Sequence, residues 1–329
     1  MSFESDEEDR QEVINLEDTS DQAPRKDYGL RIEGPIVSDV DATLAQRWQQ
    51  SISAGEPYTE NNTTWTAPPP TNPNIGGTLQ AQFQMTMPDP YPERSILESH
   101  IKAIRQAQNY IYIEDQYWRA PVLNDVLLEV LLERPQLKLV VVTSPVSSLD
   151  PSAHWTSISD ELFRTNVPDQ YVTLTTKSFD WAIDEDLFFD DVDVFSEQHL
   201  LHSKLMIIDD RYLTIGSANK NNRGLLYEGE ANVAILDEAW VSEQRARVME
   251  NLLGPAWAQY LTDDFSETWE LLLQAAEENE AVVRWWESNA GDMDPEDAMD
   301  AELVTWPSGF VYPLELPDGS LIDPGPDAF

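Results

Sequence analysis

Residues 202–219 contain a compact set of chemically capable side chains: His202, Lys204 and Asp209, then Gly216, Ser217 and Asn219. His202 and Lys204 are two apart in an apolar run (Leu205-Met206-Ile207-Ile208), so on a strand both side chains leave the same face. Asp209-Asp210-Arg211 reads as a tight turn, and Tyr212–Ile215 as the return strand that carries Gly216, Ser217 and Asn219 back toward the histidine. An imidazole, an ammonium and small hydrogen-bonding groups converging on one point suit a phosphodiester. Lys204 neutralises its non-bridging oxygens, and His202 attacks phosphorus or protonates the leaving oxygen. On this reading Asp209, at the turn, is a carboxylate able to hold an imidazole. No His/Asp/Glu set has metal-ligand spacing, so neither a metal nor another cofactor is expected.

These residues need a scaffold, and the surrounding pattern predicts one. Helical periodicity over 92–108 leads into an aliphatic–aromatic strand, Asn109–Asp115. Helix 122–132 precedes a near-continuous apolar strand, Leu137–Thr143, and helix 157–164 precedes strand Tyr171–Thr176. Strand Ala231–Leu236 and helices near 238–252 and 266–287 complete an α/β layered domain with a mixed sheet, placed at 91–288. Outside it, residues 1–27 read as a disordered acidic leader. Arg31–Val37 reads as a strand and Val40–Ser51 as a helix. The run from 53 to 78, with Pro68-Pro69-Pro70 and Gly76-Gly77, reads as a linker within a connecting region 28–90. Asp180–Glu197 is expected as an acidic surface loop with its aromatics packed inward, and 289–329 as an extended acidic tail.

The 329 residues hold 61 Asp+Glu against 20 Lys+Arg, for a net charge of −41, and no cysteine. Disulfides and thiolate-ligated metals are therefore excluded. A surface this negative disfavours nucleic acid as a partner at ordinary salt. The acids are spread along the chain, and arginines outnumber lysines fourteen to six. This composition resembles that of proteins kept in molar salt, where the Debye length is about 3 Å. No run of eighteen apolar residues occurs and Met1–Arg10 is acidic. Neither a transmembrane segment nor a secretory signal is expected, which points to a cytoplasmic protein with at most peripheral membrane contact.

The spacing HxKxxxxDxxxxxxGSxN resembles the catalytic motif of the phospholipase D superfamily. Ile111–Trp118 (IYIEDQYW) is similar to the family's IYIENQYF segment, with Asp115 and Trp118 as departures. GSANKNNRGLLYEGEANVAI, from Gly216 to Ile235, is similar to the family's GSANINDRS…SEIAV, with Gly224 in place of a serine. Leu30–Trp48 resembles the stretch that follows the first catalytic motif in two-lobed members. The chain thus resembles the C-terminal catalytic half of a two-motif phospholipase D.

The resemblance implies phosphatidyl headgroup hydrolysis or transfer through a phosphohistidine, with His202 as acid and then base. It further implies that Lys204, Ser217 and Asn219 bind phosphate, that Asp209 orients a histidine, and that Glu230 and Glu114 support the site. Two such motifs make one active site in the family, whereas this chain has one. Its other histidines, His100, His154 and His199, stand outside any His-x-Lys pair. A second copy of the chain, or a separate chain bearing a first motif, is the implied partner beside the phospholipid substrate. The competing readings are a phosphatidyltransferase of the cardiolipin-synthase kind, a nuclease of the same superfamily, and a non-catalytic partner lobe of a split enzyme.

Overall fold

The computed structural model describes residues 2–5, 25–54, 77, 79–88, 92–145, 153–185 and 190–316. The strands are β1 (Ser2–Ser5), β2 (Arg25–Lys26), β3 (Tyr28–Arg31), β4 (Gln80–Met87), β5 (Glu93–Arg94), β6 (Tyr110–Asp115), β7 (Lys138–Thr143), β8 (Tyr171–Glu185), β9 (Asp190–Gln198), β10 (Leu200–Leu201), β11 (Lys204–Ile208), β12 (Tyr212–Gly216), β13 (Glu230–Leu236) and β14 (Val311–Pro313). The helices are α1 (Ile36–Ala54), α2 (Ser95–Ile104), α3 (Pro121–Glu133), α4 (Ala153–Asn166), α5 (Glu238–Ala258), α6 (Phe265–Asn289) and α7 (Pro295–Glu302).

A ten-stranded mixed sheet in the order β14-β8-β7-β6-β11-β12-β13-β4-β5, with β9 paired to β8, is the middle layer. β6, β7 and β8 run parallel, and β11, β12, β13 and β4 continue antiparallel. Because side chains alternate along a strand, each central strand feeds two cores. Tyr110, Tyr112, Val140, Leu205, Ile207 and Leu213 pack with α5 and α6 on one face. Ile111, Ile113, Val141, Met206 and Ile208 pack with α2, α3 and α4 on the other. The near-continuous apolar runs of β6, β7 and β11 follow from burial on both sides.

The sheet differs from the sequence expectation at its margins. β4 (QAQFQMTM) falls in the stretch assigned to a connecting region, yet pairs with β13 over seven registered positions. Asp180–Glu197, expected as a loop, lies in the β8–β9 hairpin: Phe179 and Trp181 pack on Trp286, and Phe188 and Phe189 lie outside the described residues. Charged residues alternate with apolar ones there, so one face of the hairpin is wet and the other covered.

Residues 36–37, expected in a strand, begin α1. The tail contributes α7 and a β14 strand on β8. The leader expected over 1–27 is structured at both ends, with β1 paired to β3 and β2 paired in parallel to β10. Residues 6–24, and most of the expected linker at 53–78, lie outside the described residues.

Candidate active site

β11 brings His202 and Lys204 to the edge at which the parallel strands β6 and β7 end. His202 is half exposed, and its Nδ1 lies 2.8 Å from Asp27 Oδ2. A carboxylate there accepts from Nδ1–H and leaves the Nε2 lone pair for chemistry; Nε2 has no partner among the described residues. Asp27 comes from a segment 175 positions away, and sequence reading missed its contact with His202. It is held by the β2–β10 pairing and by the His202 N–H bond to Lys26 O at 2.8 Å.

Lys204 is buried, and its Nζ donates to His202 O at 2.5 Å. Burial pushes its amine below the usual lysine range, opposed chiefly by the carboxylates of Asp115 and Asp27. Asp115 is its registered neighbour on β6.

The return strand β12 ends at Gly216. A Cβ there would collide with Ala231 O and the Asn232 side chain, so this position needs glycine to let β13 close in. Ser217 Oγ donates to Glu230 Oε2, and Ser217 N–H bonds Ala231 O at 2.9 Å. Burial raises the Glu230 carboxyl above its ordinary range, and Glu228 adds to the effect. Asn219 Oδ1 is buried with no hydrogen-bond partner among the described residues. Gly224, where the related segment has serine, passes 2.6 Å (from its would-be Cβ) beside Asn219 O. The chain there can carry no side chain without displacing the Asn219 loop.

Glu114 lies behind the site and is wholly buried. Its Oε2 accepts from Lys26 Nζ (2.9 Å), Tyr28 Oη (3.0 Å) and Tyr112 Oη (2.7 Å), and its Oε1 from Ser203 Oγ (2.6 Å). Burial alone would raise this carboxyl. The Lys26 charge and these donors outweigh it, and Glu114 titrates below the usual carboxylate range.

Asp209 is not part of this constellation. Its carboxylate accepts from the main-chain N–H groups of Gln108 (2.6 Å), Asn109 (2.8 Å) and Tyr110 (2.9 Å), at the opposite end of β11. At about 3.3 Å per residue, that end is roughly 20 Å from His202. The expectation that Asp209 orients a histidine is therefore corrected: Asp27 holds His202, and Asp209 anchors the start of β6.

The remaining histidines are placed apart from the site. His100 is buried in α2 with Nδ1 on Ile96 O at 2.8 Å, and burial lowers it to about 3. His199 is buried, 2.6 Å from Ser178 Oγ. The His154 side chain lies outside the described residues.

The sequence that builds this sheet edge matches a known domain family. Residues 100–253, from the second half of α2 through most of α5, match the family model described as cardiolipin synthase, PLD-like domain. Over 260 residues the chain is 28% identical to phospholipase D A of Dictyostelium discoideum, covering 68% of this chain and 20% of that protein. It is 24% identical over 396 residues to phospholipase D alpha 1 of Zea mays, covering 93% and 48%. Among solved structures, NucT from Helicobacter pylori is similar at 15% identity and a TM-score of 0.37, covering 52% of this chain and 95% of that one.

Residues 100–253 thus form a PLD-like domain, and the matches support a place in the phospholipase D superfamily, whose members are phosphodiesterases. The chain spans less than half the length of the curated relatives named here. Among the described residues, no helix is long and apolar enough to cross a membrane.

Proposed function

We propose that this chain supplies one half of a phospholipase D-type active site, cleaving a phosphatidyl headgroup at a lipid surface. The observation that carries the reading is the His202–Asp27 pair beside a desolvated Lys204. The pair leaves one imidazole nitrogen free beside Lys204, whose Nζ lies 2.5 Å from His202 O.

In this mechanism an imidazole from a completing lobe attacks phosphorus, and the phosphorus–headgroup oxygen bond breaks. His202, protonated at Nε2, gives its proton to the departing alcohol oxygen. It then takes a proton from the water that attacks the phosphohistidine, which frees phosphatidate and the first imidazole. Lys204 and the Asn219 side-chain amide N–H hold the non-bridging oxygens, and Ser217 joins them when a protonated Glu230 donates to its Oγ and frees the hydroxyl proton. The completing lobe is a second copy of this chain or a separate chain. The net charge of −41 suits molar salt, where self-repulsion is screened.

The test is purification in about 2–3 M KCl, mass by light scattering, and choline release from phosphatidylcholine with His202→Ala as control. Release by a dimer that the substitution abolishes supports self-pairing. A folded monomer that releases no choline overturns the self-sufficient enzyme. The family description also favours a transferase reading, with an alcohol replacing water in the second step. Phosphatidyl transfer to added glycerol, in preference to hydrolysis, would select it.

A further inference from the structure

Two consecutive residues of β6 send carboxylates to opposite faces of the sheet, and they differ in kind. Glu114 is the residue of the related IYIENQYF segment, whereas Asp115 stands at its asparagine. Lys220 stands at the isoleucine of GSANI. These two departures, 105 positions apart, form one contact: Lys220 Nζ lies 3.0 Å from Asp115 Oδ2, and both side chains are fully buried. The Lys220 main-chain N–H donates to the same oxygen at 3.1 Å, and Tyr117 N–H donates to Oδ1 at 3.0 Å. A further bridge joins Arg119 to Asn221. Asp115 thus ties the end of β6 to the loop that presents Ser217 and Asn219.

We infer that Asp115 and Lys220 form a positioning pair for the phosphate subsite, fixing the 217–221 loop and sustaining the positive charge of Lys204. This rests on the reading of Lys204 as the phosphate-binding cation. The groups facing Lys204 are Asp115 on β6, Asp27 between β2 and β3, Lys220 on the loop and Glu230 on β13, besides the His202 carbonyl. Asp115 is the largest influence holding the desolvated ammonium in its charged form, and Lys220 opposes it more weakly.

An Asn–Ile pair would fill the same space without this field. Molar salt screens exposed charges over a few ångströms, but it reaches a buried pair far less. A buried carboxylate is therefore a means of keeping a local field in such a medium. Without a cation beside it, Asp115 would be driven to its neutral form by burial; Lys220 supplies that cation.

The test uses the full chain labelled with 15N-lysine, in which Lys204 Nζ is assigned through Lys204→Arg and titrated by NMR. Dimethyl phosphate is the probe, since its single charge is constant over the range. Asp115→Asn leaves Lys220 buried and unpaired and can fail to fold, so the deciding variant is Asp115→Asn/Lys220→Ile. Lys204 of that variant is expected to titrate at a pH lower by about half a unit or more. Its affinity for dimethyl phosphate should be unchanged where Lys204 is charged in both proteins, and fall about threefold at pH above both midpoints.

A Lys204 titration that does not move, or an affinity that falls equally at every pH, overturns the proposal and leaves the pair a packing element. Failure of the unmodified chain to bind dimethyl phosphate at any pH overturns the phosphodiester reading instead. The Lys204 titration still decides the role of the pair.

Discussion

The two ends of β11 carry residues of one motif and treat them in opposite ways. At the far end, Asp209 receives three main-chain N–H donors, and Asp210 receives Tyr110 Oη and Arg245 Nε at 2.9 and 2.6 Å. Both aspartates sit in the left-handed region, at φ of 52° and 54°, a conformation short polar side chains tolerate. At the near end, His202 is half exposed, Lys204 is desolvated, Glu230 is shifted upward and an Asn219 oxygen has no partner among the described residues. Satisfied polar groups stabilise a fold, whereas a buried unsatisfied one costs free energy until something pairs with it. The motif spans both, so its aspartate and its histidine should fail differently when replaced.

The largest expected effect is at the near end. His202→Ala should lower turnover at least about 1,000-fold while leaving the thermal midpoint unchanged, read by headgroup release and calorimetry on the same sample. A matching loss of stability would erase the contrast. Lys26→Met should cost about 3–5 kcal/mol in denaturant unfolding, because it strands the buried Glu114 carboxylate.

The pH dependence of that contribution has a definite sign. The folded Glu114 carboxyl lies below its ordinary value of 4.5, so the stabilisation is complete above that value and disappears as pH falls through the lower, folded one. The stability difference between the native chain and a Lys26→Met/Glu114→Gln variant should therefore shrink only on the acid side. A difference that shrinks toward alkaline pH would contradict the assignment.

At the far end, Asp209→Ala should cost about 2 kcal/mol by unfolding, from lost amide acceptance and a left-handed backbone, with activity per folded molecule retained. Activity lost in a chain of native stability would restore Asp209 to the site. The smallest effect expected is for Asp27→Asn, roughly a tenfold fall in turnover, since the imidazole remains but its tautomer is no longer fixed. An unchanged rate would show that the Nδ1 contact is incidental.

Local pattern carried much of this architecture. The runs that became β6, β7 and β11 were legible because burial on both faces demands uninterrupted apolar residues. The Gly216-Ser217 turn was legible because a missing side chain followed by a hydroxyl has few other uses after a strand. β4 carries a readable signal, since Gln80–Met87 alternates polar and apolar residues with the period of a strand. The β8–β9 hairpin was hidden by its acids, which locally look like solvent-exposed loop.

The sequence by itself determined the layered fold and the placement of His202 and Lys204 on one face, because both follow from periodicities of two to four residues. It could not determine which carboxylate serves which cation. Asp27 reaches His202 across 175 positions, Glu114 meets Lys26 across 88, and Asp115 meets Lys220 across 105. Those choices belong to the tertiary structure, because a buried charge selects its partner by proximity in the folded sheet. The six residues between His202 and Asp209 become a distance along an extended strand that no imidazole can span.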